Sequence, residues 1–230
     1  MIDLMVKIIM IAPSGGGKGT LARFLRNDLG IPHINTGEIL RNWTDTESDL
    51  GKQVMEARGA INQGKFLSDE LMGRVVAKRL EAHDCVNGFI LDGFPRSIGQ
   101  AHHLDDLGVK PDLVIELVAT DEIVIERMRG RWVCRRCRAN HNEKLGPVNE
   151  CRNCGGELYQ REDDKEEMIR RRLSQYREQE IPLREFYEAK GVLLKITSGI
   201  DNPPGEIFLA VKEYLWKQSG CDEEHYDTDL

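Results

Sequence analysis

Val6-Lys7-Ile8-Ile9-Met10-Ile11-Ala12-Pro13-Ser14-Gly15-Gly16-Gly17-Lys18-Gly19-Thr20 is the stretch from which the rest of the chain can be read. Val6–Ala12 is an apolar run of strand length, and Gly19–Leu29 reads as a helix. Between them stand three consecutive glycines, a lysine, a further glycine and a hydroxyl. Glycines let backbone N–H groups converge on phosphate oxygens, and the N-terminus of the following helix adds partial positive charge there. Gly15, Gly16, Gly17 and Gly19 are therefore candidate phosphate ligands. Lys18 is placed to reach β- and γ-phosphates as a point charge, and Thr20 to cap the helix or touch a metal shell. The general pattern is departed from twice. Ala12 stands where the first glycine belongs, and Gly19 separates Lys18 from the hydroxyl. Ala12 is harmless if its φ is negative, because only positive φ asks for glycine. The plain alternative is a flexible strand-to-helix turn with a surface lysine.

Working outward, strand-like runs alternate with helical patterns, the signature of a parallel sheet with helices on both faces. The strands are expected at Val6–Ala12, Pro32–Ile34, Gly88–Leu91, Leu113–Leu117 and Val192–Ile196. Helices are expected at Gly19–Leu29, Ser68–Ala82, Ser97–Leu107, Asp121–Gly130, Asp164–Lys190 and Gly205–Lys217, with Pro182 kinking or interrupting the long one. Two stretches break the alternation. Thr36–Lys65 is helical and charged with no strand, and Arg131–Asp164 is rich in cysteine, arginine and glycine. Both read as insertions into one α/β core made of residues 1–35, 66–130 and 165–217. Residues 218–230 carry five acids and no apolar periodicity, and read as a disordered tail.

The 230 residues carry a net charge of −7, which argues against a general nucleic-acid binder. Arginine nevertheless outnumbers lysine twenty to twelve, and the guanidinium fork matches phosphate oxygens. An acidic chain with locally concentrated arginine suits a small polyanionic ligand. No run approaches the roughly 20 apolar residues of a membrane span. Val6–Ala12 leads straight into the glycine loop and reads as a buried strand, not a signal-peptide core. The expected compartment is the cytoplasm, where thiols stay reduced.

Four of the six cysteines form two pairs, Cys134-x-x-Cys137 and Cys151-x-x-Cys154, separated by thirteen residues. This is close to the spacing of Cys₄ zinc sites, with no open ligand position, so the metal is expected to be structural. Binding worth ~10–16 kcal/mol in small zinc domains is enough to fold a segment with almost no core of its own. Arg135, Arg136, Arg138 and Arg152 crowd the pairs and offset the thiolate charge. Cys85 and Cys221 read as bystanders. Leu91-Asp92-Gly93-Phe94-Pro95-Arg96 closes a strand with a carboxylate and turns to present an arginine. Asp92 can orient water on Mg²⁺, and Arg96 can clamp a phosphate bidentately. Ser97-x-x-Gln100 also fits a helix capping box.

Gly15-x-Gly17-Lys18-Gly19-Thr20, Thr36-Gly37-Glu38-Ile39-Leu40-Arg41, Gly64-Lys65-Phe66-Leu67-Ser68-Asp69-Glu70, the Asp92–Arg96 turn and the paired cysteines follow in that order. Together they resemble the adenylate kinase family, in its zinc-containing long-lid type, over about residues 6–217. The resemblance implies a three-layer α/β/α P-loop kinase fold with a parallel five-stranded sheet, a helical AMP-binding subdomain at 36–65 and a zinc lid at 131–164. It implies reversible transfer of the terminal phosphoryl of MgATP to AMP, giving two ADP. ATP would be held by Gly15, Gly16, Gly17, Lys18, Gly19, Thr20, Arg127, Arg131, Asn140, His141 and Ile200. AMP would be held by Thr36, Arg41, Lys65, Phe66, Leu67, Gly93, Phe94, Pro95, Arg96, Gln100, Arg161 and Arg172. Lys18, Arg96, Arg131, Arg161 and Arg172 would be catalytic. Zinc would sit on Cys134, Cys137, Cys151 and Cys154, and Mg²⁺ would meet Asp92 through water. The implied partners are ATP, AMP and ADP, acting on a monomer with no nucleic acid and no membrane.

Plain structural readings stand beside these roles: Thr36 as a helix cap, Arg41 as a solvated helix face, Gln100 as part of the capping box, and Arg170, Arg171 and Arg172 as a solvated triplet. The loop between the cysteine pairs is shorter than is usual in the family and lacks its Asn-Pro-Pro stretch, and His141 stands where a tyrosine is common. Rival readings are a kinase for UMP, CMP or GMP, a zinc-ribbon nucleic-acid-binding or regulatory NTP-binding protein, and a non-catalytic paralogue.

Overall fold

In the computed structural model, which describes residues 5–62, 67–161, 164–199 and 202–218, Val6–Ile11 (β1) occupies the middle of a five-stranded sheet. Around it, in chain order, lie α1 (Lys18–Leu29), β2 (His33–Asn35), α2 (Thr36–Arg41), α3 (Asp49–Asn62), α4 (Asp69–Leu80), β3 (Gly88–Asp92), α5 (Ile98–Asp106), β4 (Leu113–Val118) and α6 (Asp121–Arg129). There follow β5 (Arg131–Cys134), β6 (Asn140–Asn142), β7 (Leu158–Tyr159), α7 (Glu166–Ala189), β8 (Leu193–Thr197) and α8 (Pro204–Gln218). The large sheet has the order β2-β3-β1-β4-β8, and all its pairings are parallel.

Both faces of β1 are covered, which is why its apolar run is nearly continuous. Val6, Ile8 and Met10 pack with Leu21, Leu25, Phe208 and Val211 from α1 and α8 on one face. Ile9 and Ile11 pack on the other face with Val75, Val76, Leu104, Leu183 and Tyr187 from α4, α5 and α7. These layers leave the C-terminal ends of β1, β2 and β3 at one rim. The glycine loop, the start of α2 and the Asp92–Arg96 turn all emerge there, where ligands bind in open parallel sheets.

α7 runs unbroken through Pro182, so of the two expected outcomes, a kink or an interruption, the interruption does not occur. The chain on both sides of the proline is tied down. Arg177 donates to Asp121 and to the Ala119 carbonyl at 2.7 and 2.9 Å, and Arg184 holds the fully buried Glu116 at 2.9 and 3.0 Å. Leu183 and Tyr187 are buried beside them, so packing outweighs the one lost helical hydrogen bond. β5, β6 and β7 form a second, antiparallel sheet in the order β6-β5-β7. The sequence reading placed no strands there. Its hydrophobic cluster is small: Cys134, Cys151 and Leu158, with Trp132, Ala139, Val148 and Cys154 packed against it.

Candidate active site

The helices α2, α4, α5 and α6 each carry a polar side-chain cap: Asn35, Ser68, Ser97 and Thr120. α1 differs. Its N-cap is Gly17, in the left-handed region at φ 101°, with no side-chain cap. A helix start of this kind leaves its partial positive charge to an outside anion. Gly15 also has positive φ, and a Cβ there would lie 2.5 Å from Met128 Cγ on α6. Ala12 is not among the residues of positive φ, so the backbone there makes no demand for glycine.

Lys18 Nζ lies at the foot of the loop, donating to the Ala12 and Pro13 carbonyls at 2.7 and 3.0 Å, and 4.0 Å from Asp92 Oδ1. Burial lowers its pKa from 10.5 to about 8. Asp92 opposes this, and the charges of Arg96, Arg131 and Arg172 add to it. Four cationic side chains from β1–α1, the β3 turn, β5 and α7 thus converge on one space. A narrow cavity there, of about 20 Å³, is lined by Ser14, Lys18, Gly93, Arg96, Arg172 and Tyr176 among others.

The side chains that position these cations are specific. Arg96 Nε donates to the Gly93 carbonyl at 2.8 Å, and the Arg96 N–H donates to Gln100 Oε1 at 2.8 Å. Gln100 Nε2 donates to Asp69 at 2.8 Å, and Asp69 also accepts from Ser97 Oγ at 2.6 Å. Gly93 has φ 87°, and a Cβ on it would lie 2.7 Å from Thr36 Oγ. The Thr36 hydroxyl donates to the Gly93 carbonyl at 3.0 Å. Asp164, 9% exposed, accepts from Arg131 Nε at 2.8 Å and from Arg131 Nη2, and lies 3.7 Å from Arg172 Nη2. Of the arginine triplet, Arg170 and Arg171 are exposed and Arg172 turns inward.

Arg127 donates to Ser198 Oγ at 3.0 Å and to the Gly199 carbonyl at 3.1 Å, beside Gly17. Asn140 Nδ2 comes within 3.9 Å of the Cβ position at Gly19, so the small sheet overhangs the glycine loop. It also reaches α2, where Arg138 Nη2 donates to Asn42 Oδ1 at 3.4 Å. The Arg41 guanidinium folds back over Gly37. Phe94 is fully buried in the core, joined to Pro95 by a cis peptide. Leu67 packs on the same core, Arg161 lies half-buried at the exit of the small sheet, and Thr20 is on the first turn of α1. Lys65, Phe66 and Ile200 fall outside the described residues.

The four Sγ atoms of Cys134, Cys137, Cys151 and Cys154 lie within 4.8 Å of one another. The pairs Cys134–Cys154 and Cys137–Cys151 are 3.6 and 3.4 Å apart. A tetrahedral centre with metal–sulfur bonds of about 2.3 Å has edges of roughly 3.8 Å, so the set fits one zinc ion. The Cys137 and Arg136 backbone N–H groups bring the Cys134 thiol down to about 6 against its burial. The Ala139 N–H favours a Cys137 thiolate, but burial and the neighbouring sulfurs push that thiol up to about 12. Such a set ionises fully only around a cation. His141, expected near the ATP base, has its Nε2 3.2 Å from Cys151 Sγ.

Residues 10–192 match the family model described as adenylate kinase. The chain belongs to the adenylate kinase family. An adenylate kinase of Caldicellulosiruptor bescii is 44% identical over 196 residues, which are 82% of this chain and 90% of the relative. That of Syntrophomonas wolfei is 40% identical over 217 residues, 91% of this chain and 99% of the relative. An adenylate kinase of Archaeoglobus fulgidus is 40% identical over 198 residues, 83% and 90% respectively. This adenylate kinase family member is a phosphotransferase, and phosphoryl transfer between ATP and AMP is the reaction of the family.

The site of this adenylate kinase also contains residues that sequence reasoning passed over. His33 Nε2 and Asn35 Nδ2 both meet Asp92 Oδ2, at 3.2 and 2.7 Å. Burial alone raises the Asp92 carboxyl, but His33, the Lys18 charge and Asn35 together hold it below the usual carboxylate range. The available signal was two polar residues alternating with apolar ones in Pro32-His33-Ile34-Asn35, immediately before Thr36.

Proposed function

We propose that this chain catalyses reversible transfer of the terminal phosphoryl of ATP to AMP, giving two ADP, with the transferring group in the space shared by Lys18, Arg96, Arg131 and Arg172. That convergence is the observation that carries the reading. The transition state of phosphoryl transfer spreads negative charge over its equatorial oxygens and needs alignment and cations more than covalent help. The two nucleotides bring about six negative charges together. ATP enters over the uncapped start of α1, its phosphates on the Gly15–Gly19 amides and Lys18, with Thr20 at the edge of the triphosphate. Arg127, held flat by Ser198 and Gly199, faces the base, with Asn140 above the loop. AMP enters from the α2 side, where Thr36, Arg41 and Leu67 line its pocket and Arg96 forks onto its phosphate. Gln100 keeps one amide hydrogen and one carbonyl lone pair free for an adenine edge after bracing the Arg96 turn.

An ionised oxygen of the AMP phosphate attacks the γ-phosphorus in line. The bond to the ADP oxygen breaks, and no protein group is covalently modified. Arg131 and Arg172, held by Asp164, and Arg161 close over the transferring group. Asp92 would hold Mg²⁺ through water, and the ion would supply neutralisation of the phosphate charge. Zinc, when bound by the four cysteines, supplies the rigidity that the small sheet lacks in core. Residues 131–164 act as a lid that excludes water, residues 36–65 as the acceptor subdomain, and the remainder as the core. The enzyme acts as a cytoplasmic monomer with no nucleic-acid or membrane partner. The net charge of −7 argues against a nucleic-acid partner, and no described helix is long and apolar enough to cross a membrane.

A coupled assay of ATP against AMP, GMP, UMP and CMP tests the reading: turnover with AMP exceeds that with each of the others, and a preference for another monophosphate refutes it. Within the site, Arg96→Ala is expected to lower kcat by about 10³-fold or more, since one well-placed arginine is worth roughly that in phosphoryl transfer. The thermal transition stays near that of wild type because Arg96 is only half-buried at the rim. Turnover within a few-fold of normal would remove Arg96 from the mechanism.

A further inference from the structure

We propose that Asn35 is a positioning residue that ties the start of the acceptor helix α2 to Asp92 and fixes which oxygen of that carboxylate faces the phosphate site. The proposal rests on Asp92 serving that site, as proposed above. One amide makes both connections. Asn35 Oδ1 accepts the Glu38 N–H at 3.0 Å and so caps α2, while Asn35 Nδ2 donates to Asp92 Oδ2 at 2.7 Å. His33 Nε2 lies 3.2 Å from the same Oδ2, and facing a carboxylate it is the protonated nitrogen. Oδ2 is thus occupied twice. Oδ1 is left turned toward Lys18, whose Nζ lies 4.0 Å away.

The carboxylate is 3% exposed, so its rotation is set by these partners and not by solvent. β2 also pairs in register with β3, Asn35 opposite Asp92, which holds the amide and the carboxylate side by side on neighbouring strands. α2 begins at Thr36, whose hydroxyl reaches the Gly93 carbonyl, and carries Arg41. A misplacement of an ångström in an active site costs about 100-fold in rate, so the amide that fixes the rotation of Asp92 bears on turnover without touching either nucleotide.

A helix cap and a positioning residue predict different variants. Asn35→Ala removes both connections. Asn35→Ser keeps a capping oxygen but is too short to span to Asp92. Asn35→Asp keeps the cap and sets a carboxylate against Oδ2. We expect kcat to fall about 10–100-fold in all three, most in Asn35→Asp, while KM for AMP and ATP changes by less than about threefold. Asn35→Ser loses the bond to Asp92 but keeps the cap, so it is expected to melt above Asn35→Ala while its kcat falls as far, separating the cap from the chemistry. A readout independent of turnover is Mg²⁺ titration of the ATP-loaded, AMP-free protein by calorimetry, where Asn35→Ser and Asn35→Asp are expected to bind the ion several-fold more weakly. Wild-type kcat and Mg²⁺ affinity in Asn35→Ser and Asn35→Asp would reduce Asn35 to a cap and overturn the proposal. Asp92→Asn, run alongside, separates the two levels. If it is inactive while the Asn35 variants are normal, only the positioning role fails. If it turns over normally, the reading of Asp92 itself fails.

Discussion

Replacing Lys18 with methionine is expected to abolish measurable turnover and, at the same time, to stabilise the empty enzyme near neutral pH. The ammonium is buried against its own loop, with Arg96, Arg131 and Arg172 close by, and its pKa falls from 10.5 to about 8. That lowering corresponds to about 3 kcal/mol of unfavourable burial in the charged form. The sign follows from proton binding. Between pH 8 and 10.5 the unfolded chain holds more protons than the folded one, so this group's penalty is fully present below pH 8 and is relieved as pH rises through that window. Methionine removes the penalty and also the two bonds to the Ala12 and Pro13 carbonyls, each worth about 1 kcal/mol. The balance is a gain of about 1 kcal/mol, or roughly 2–4 °C in the melting temperature of a chain this size. Thermal scans at pH 7 and pH 10 check it: the gain appears at pH 7 and reverses to a loss of about 1 kcal/mol at pH 10. Turnover falls about 10³-fold or more, because the transferring phosphoryl loses its nearest point charge. A Lys18→Met enzyme that is less stable than wild type at pH 7 would show that the lysine braces the loop rather than straining it.

The second large effect concerns the cysteine cluster. Cys151→Ser with Cys154→Ser is expected to abolish zinc binding, from one ion per chain to none, measured by metal analysis of the purified protein. The lid sheet has three short strands and a cluster built largely from the ligands themselves, so the lost metal–thiolate energy, ~10–16 kcal/mol in small zinc domains, has no apolar substitute. Melting should begin in residues 131–164 at a temperature more than about 10 °C below the wild-type transition. Limited proteolysis should cut there first. Residual turnover well above that of Lys18→Met is expected below this temperature, because Lys18, Arg96 and Arg172 lie outside the lid. Unchanged zinc content in the double variant would sink the metal assignment.

The core of this fold was legible because β1, β3 and β4 are short, continuous apolar runs next to strong turn signals, which is what burial on both faces of a sheet requires. Strand order was not legible, since which strands neighbour β1 depends on contacts across the whole chain. The lid strands were missed for a simpler reason: β6 and β7 are three and two residues long, below any detectable period. At Pro182 local propensity allows a kink or an interruption, and the interruption does not occur because Arg177, Leu183 and Arg184 anchor the helix on either side. At the rim, motifs located Lys18, Asp92, Arg96 and Arg131, which the structure gathers. They did not reveal what steadies them. His33 on an apolar strand reads as an ordinary half-buried histidine until its partner is known, and the capping role read for Thr36 falls instead to Asn35, one residue earlier. Asp164 is readable in the sequence as a partner for arginines, but not which ones; the structure pairs it with Arg131 and sets it 3.7 Å from Arg172.

One measurement bears most directly on the central claim that cations from distant elements surround a single pair of joined phosphate chains. Calorimetric titration with a bisubstrate in which two adenosines are linked by five phosphates is predicted to give one tight site per chain. Arg96→Ala and Arg131→Ala, one from the β3 turn and one from the lid, should each weaken that site by about 100-fold or more, as expected for a lost charge-assisted pair in a closed site. Two independent weak sites, or affinity unchanged in either variant, would contradict it.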